Sequence, residues 1–131
     1  SIMDVSNCVN LGRITTNKAN GVGGCIGMLS GSISGVWVEG SIANCYTASD
    51  CIVNKGSNKA VAYVNAKATA ITQSNNASIA RATLESAAIY SDTNVKLDFT
   101  QWIARSNGSV IPRIFVDWIV PASETVEKLA N

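Results

Sequence analysis

The sequence predicts an all-β fold, a right-handed parallel β-helix or related β-solenoid with a C-terminal capping segment, and three observations carry that expectation. A short apolar motif recurs along the first half of the chain: the segment from Val5 to Ile14 returns from Ile33 to Ile42, and less cleanly from Ile42 to Ile52. Gly and Asn punctuate the recurrences, at Gly12, at Gly40 and at the Asn20-Gly21 pair, where a chain that turns within one or two residues needs φ > 0. The polar residues are mostly Ser, Thr and Asn, with only 15% charged and 47% hydrophobic content, a balance that excludes disorder and suits extracellular β-structure.

Each element follows from what a stacked coil demands. A narrow interior selects Ile, Val, Cys and Ala at inward positions, and β-branched types fit the pleat. Alternation then supplies the outward polar residues. Ile14, Ile26, Ile33 and Ile42 are the expected inward side chains. Between the first two recurrences lies the Gly-rich stretch from Gly21 to Ser32, with a fainter echo of its apolar part from Ala60 to Val64. Gly23, Gly24 and Gly27 do not read as a phosphate-binding loop, because residues 28–42 continue with Gly, Ser and β-formers where that loop requires a helix.

From residue 66 the pattern thins. Ile71, Ile79, Leu84 and Ile89 fit further, degenerate coils, and the stretch from Asn76 to Ser86 also fits a helix. Residues 1–96 are therefore assigned to coils and 97–131 to a cap. Phe99, Trp102, Ile111 and Ile114 supply the bulk to close an open apolar interior, which any solenoid requires. Phe115 to Val120 reads as a last strand stopped by Pro121, and Glu124 to Leu129 as a short tail helix begun at Ser123.

The stretch Val22-Gly23-Gly24-Cys25-Ile26-Gly27, followed by Gly31-Ser32-Ile33-Ser34-Gly35, resembles the GLUG repeat, and Asn7-Cys8-Val9-Asn10 and Asn44-Cys45-Tyr46 resemble the turns that border it. The resemblance covers residues 5–65 and departs from the repeat at Cys25 and at Met28-Leu29. Residues 97–114 resemble the segment that closes such repeat arrays. The likeness implies a bacterial surface protein, adhesin-like or the repeat region of an IgA-cleaving protease lying outside the catalytic domain.

Function classes narrow by exclusion. The net charge of +1 offers no footprint for nucleic acid, and no run of about 18 apolar residues could span a membrane. The absence of His removes the commonest general base and metal ligand. Cys8, Cys25, Cys45 and Cys51 form no C-x-x-C pair, so a zinc site is a poor fit. Buried thiols are the plainer reading, with Cys45 and Cys51 the first candidates for a bridge if one exists. Asp4, Glu39, Asp50, Asp92 and Asp98 share no spacing that would pair two carboxylates across a groove. No catalytic residue, metal or cofactor is expected. Trp37, Tyr46 and Tyr63 are the candidate ligand-binding residues, since outward aromatics stack on sugars or anchor protein partners, although covering coil edges is the commoner use of such rings. The expected function is a non-catalytic, secreted or cell-surface binding or scaffold module that meets a host protein or glycan. The alternatives are a structural subunit of a filament or phage fibre, associating through strand edges, and a polysaccharide-acting β-helix enzyme.

Overall fold

The computed structural model describes residues 2–17, 22–29, 32–33, 36–37, 39–53, 61–64 and 71–130; of residues 28, 29, 32, 33, 36, 37, 53, 63 and 64 the backbone alone is described. In chain order the strands are β1 (Ile2–Asn10), β2 (Ile14–Thr15), β3 (Ile26–Leu29), β4 (Ser32–Ile33), β5 (Val36–Trp37), β6 (Glu39–Ala48), β7 (Ile52–Val53), β8 (Ala62–Val64), β9 (Ile71–Ser74) and β10 (Ala77–Ile79). Two short helices follow, α1 (Arg81–Leu84) and α2 (Ala88–Ser91), and then a 3-10 turn at Phe99–Gln101. Strands β11 (Trp102–Ala104) and β12 (Val110–Pro112), a 3-10 turn at Arg113–Phe115, α3 (Val116–Ile119) and β13 (Glu127–Lys128) complete the chain.

The main sheet is parallel and centred on β6, which pairs β1 on one side and β9 and β10 on the other. Two smaller parallel pairs, β2 with β7 and β3 with β8, repeat the same order. The register sets Val5 opposite Ile42, Cys8 opposite Cys45 and Val9 opposite Tyr46. The less clean recurrence, from Ile42 to Ile52, is therefore the one the sheet uses; Val5 does not pair with Ile33. Asn7, Asn44 and Asn75 all have φ between 55° and 59°, a left-handed conformation that Asn adopts more readily than other side-chain-bearing residues. The register places these kinks at the same level of three neighbouring strands. Beside the third kink, Asn76 restores the bonds that the bend interrupts, accepting from the Cys45 N–H at 3.0 Å and donating to the Ile42 carbonyl at 2.8 Å.

The expected all-β parallel β-helix or β-solenoid is corrected by these sheets. They are of mixed type: β11 pairs antiparallel with β12 and β13, β4 pairs antiparallel with β5, and three α-helices intervene. The physical reason lies in the second half of the sequence. Ala-rich residues 81–91 carry little β-branching and close helical turns, with the Leu84 N–H bonded to the Ala80 carbonyl at 3.2 Å. Asn107-Gly108 then reverses the chain, Gly108 at φ 87°, and the Arg105 N–H bonds Ser109 O at 2.8 Å, so the next strand returns antiparallel. The last strand expected over 115–120 is the 3-10 turn and α3, and the tail helix expected over 124–129 contains instead β13.

Among the described residues, two apolar clusters hold the fold together. One gathers Ile42, Cys45 and Val61, with Met3, Val5, Cys8, Cys25 and Ile26 packed against it. The other joins Tyr46, Ala48 and Ile52 of the first half to Leu84, Ile89, Val95, Leu97, Trp102 and Val110 of the second. The second cluster crosses the boundary expected at residue 96. Of the expected inward residues, Ile42 is buried and Ile14 and Ile26 are half-buried, while the Ile33 side chain lies outside the described residues.

Candidate functional site

Among the described residues, four of the six large apolar side chains left exposed sit together on the turn and helix that follow β12, the other two being Ile2 and Tyr90. Pro112, at φ −59°, ends β12 and starts the 3-10 turn, where its missing N–H costs nothing. Helical backbone from residue 113 to 119 brings side chains three and four positions apart onto one face, so Ile114 neighbours Trp118, and Phe115 neighbours Trp118 and Ile119. The Phe115 and Trp118 rings lie 6.0 Å apart, tilted by 50°. Exposure is 78% for Ile114, 41% for Phe115, 80% for Trp118 and 51% for Ile119. Val116 and Val120 are half-buried, and the Val120 N–H bonds Val116 O at 3.0 Å, closing the helix before Pro121. Single exposed apolar side chains are ordinary; four adjoining ones form a patch of the kind that marks an interaction site.

Two open clefts flank this patch and share Val9, Trp102 and Pro112. One, of about 440 Å³, reaches Ile114 past Asn7 and Cys8, and the other, of about 270 Å³, reaches Phe115 past Leu11 and Leu84. Their common wall is fixed by Asn7, whose Oδ1 accepts the Trp102 indole N–H at 3.0 Å and the Asp98 N–H at 2.9 Å. The patch thus adjoins a wall held by side-chain hydrogen bonds, although its own helix is a single turn.

The residues expected to bind a ligand fall elsewhere. Tyr46 is a correction: its ring is fully buried and its hydroxyl accepts the Lys96 N–H at 2.6 Å, so it offers no face to a ligand. Burial is also the main cause that raises its phenol above the usual range. Trp37 lies on β5 and Tyr63 on β8, and both side chains lie outside the described residues. Among the expected capping residues, Trp102 is buried and Phe99 packs against the core and edge-on to Tyr90 at 5.2 Å, but Ile114 points into solvent and covers nothing. The patch could have been noticed in the sequence as two aromatics and two Ile within residues 114–119. In a strand from Phe115 to Val120, as the sequence predicts, Phe115 and Trp118 would point to opposite faces.

The cysteines are free thiols, Cys45 and Cys51 buried, Cys8 and Cys25 half-buried. Cys51 does not bridge to Cys45; its sulfur lies 2.8 Å from the Thr47 hydroxyl. Among the described residues no group of three or more His, Cys, Asp or Glu is placed to hold a metal ion. Three of the carboxylates that an enzyme would need have local partners. Asp50 bonds Arg81 at 2.7 Å and faces Arg13 at 3.6 Å, Asp92 accepts the Asn94 N–H at 2.8 Å, and Asp98 accepts the Thr100 N–H at 3.2 Å. Among the described residues no helix is long and apolar enough to cross a membrane. No family model, curated protein or solved structure matches this chain.

Proposed function

We propose that this chain is a non-catalytic binding module of a secreted or cell-surface protein, and that it meets a protein partner through Ile114, Phe115, Trp118 and Ile119. The exposure of these four side chains on one helical face carries the reading. Keeping them in water forgoes at most about 1.5–3 kcal/mol each, a cost that burial in an interface recovers. Aromatic anchors ringed by aliphatic groups suit the apolar core of a protein interface. A sugar platform would pair its ring with polar side chains aimed at hydroxyls, and the two Ile beside Trp118 supply none. The likeness of residues 5–65 to the GLUG repeat fits a host protein or matrix component as the partner. Trp37 and Tyr63 are proposed as additional contacts, to be substituted in the same series.

The test compares beads carrying the chain with beads carrying an Ile114→Ser, Trp118→Ala double variant for retention on cultured host cells and on purified matrix proteins. The parent is expected to be retained, and the variant, with an unchanged melting temperature, to lose at least about tenfold in affinity. Equal retention of the two proteins, or no retention of the parent on any of these surfaces, contradicts the proposal.

A further inference from the structure

The thiols of Cys8 and Cys45 stand side by side on adjacent strands, in an arrangement that the binding surface does not use. β1 and β6 run parallel with Cys8 directly opposite Cys45. Neighbouring strands lie about 4.8 Å apart, inside the roughly 4.4–6.8 Å between Cα atoms that a disulfide spans. Each cysteine follows a left-handed Asn, Asn7 at φ 59° and Asn44 at φ 55°. Each sulfur also reaches the carbonyl two residues before it, Cys8 to Ser6 at 3.2 Å and Cys45 to Ala43 at 3.4 Å. The two side chains therefore leave their strands in the same direction and enter the same apolar cluster. Both are free, with Cys8 half-buried on the edge strand and Cys45 fully buried behind it.

We propose that Cys8 and Cys45 form a disulfide by thiol–disulfide exchange with a small-molecule disulfide, stapling the edge strand β1 to β6. The more accessible Cys8 attacks first: its sulfur bonds to one sulfur of the small disulfide, whose other half leaves as a thiol carrying the proton from Cys8. Cys45 then attacks the Cys8 sulfur of the mixed disulfide, and the second small thiol leaves with the proton from Cys45. Two protein thiols are oxidised and one small disulfide is reduced to two thiols. Burial pushes the Cys45 thiol up to about 11, which makes the second step the slow one and leaves the Cys8 adduct as the intermediate that accumulates. The other two thiols have partners of their own, although Cys25 packs against the same apolar cluster. Cys51 is engaged by Thr47, and Cys25 points to the Tyr46 carbonyl at 3.5 Å with its thiol pushed up to about 12, chiefly by burial.

The inference stands on the strand register and is independent of the binding surface. The folded chain is incubated with oxidised glutathione, its free thiols are counted, and its cross-linked peptides are mapped by mass spectrometry. Two of the four thiols are expected to disappear, with Cys8 linked to Cys45. The melting temperature should rise by roughly 5–15 °C and fall back on reduction, because the bridge closes a long loop in the unfolded chain. Cys51→Ser is expected to form the same bridge, and Cys45→Ser to collect the glutathione adduct at Cys8. Four free thiols remaining in the folded parent, a bridge mapped to any other pair, or a folded Cys45→Ser protein with no adduct at Cys8 overturns the proposal.

Discussion

Gly40 shows how tightly a single position can bind two strands. It lies within β6 at φ 147°, and a Cβ there would sit 1.7 Å from the Met3 carbonyl oxygen of β1, so backbone meets backbone with no room for a side chain. Gly40→Ala should cost at least about 2 kcal/mol, from the unfavourable φ together with the forced separation of β1 from β6. Urea denaturation followed by circular dichroism measures it, and a loss below about 0.5 kcal/mol would show that the strands do not approach as described. In the sequence Gly40 reads as a corner, because Gly most often marks one, and the close approach of Met3 is a tertiary fact that no local pattern encodes. Asn7 and Asn44 were legible as special positions through the recurring Asn-Cys pairs. Their role as kinks inside strands was not, since the same preference for φ > 0 also serves turns.

Among the elements, α1 is held by the packing of Leu84 and also by charge. Arg81 pairs with Asp50 in the turn after β6, with Glu85 one helical turn on, and with the Leu11 carbonyl. The hydrogen bond from Arg81, aided by its charge and by Arg13, holds Asp50 below the usual carboxylate range. A lowered folded pKa contributes stability above the ordinary carboxylate value of about 4, and that stability is lost as pH falls through the depressed value. Asp50 stands open to solvent and Arg81 is half-buried, so the effect is small and screened by salt. The gap in melting temperature between the parent and Asp50→Asn should be open at pH 7 and narrow below about pH 4; an equal gap at pH 7 and pH 3 would show that the pair adds nothing. The parallel strands were readable because alternation and recurrence repeat a two-residue period. The helical stretch over 113–119 was not, because Ile, Phe, Val and Trp all favour strands, and only Pro112 and Pro121 at its ends argue for a short, self-contained turn.

For the whole molecule, the parallel sheet and the C-terminal elements share one core, joined where Asn7 holds Trp102 and where Tyr46 holds Lys96. The sequence indicated the strand-rich first half and its turn residues. It did not reveal the mixed sheets, since the direction of pairing depends on where helices and reversals return the chain. Nor did it locate the exposed apolar face: Tyr46, expected outside, supplies the core, whereas Ile114, expected in the cap, and Phe115 to Ile119, expected in a strand over 115–120, supply that face. Trp102 and Trp118, at 7% and 80% exposure, report on these two environments separately. Acrylamide quenching of variants that keep one of these two Trp, the other two replaced by Phe, tests the central claim most directly. Trp118 should be strongly quenched in the isolated chain and shielded when the chain is bound to the target that retains it, with Trp102 shielded in both states. A Trp118 that is already shielded in isolation, or that stays equally quenchable when bound, would contradict the assignment of this face as the binding surface.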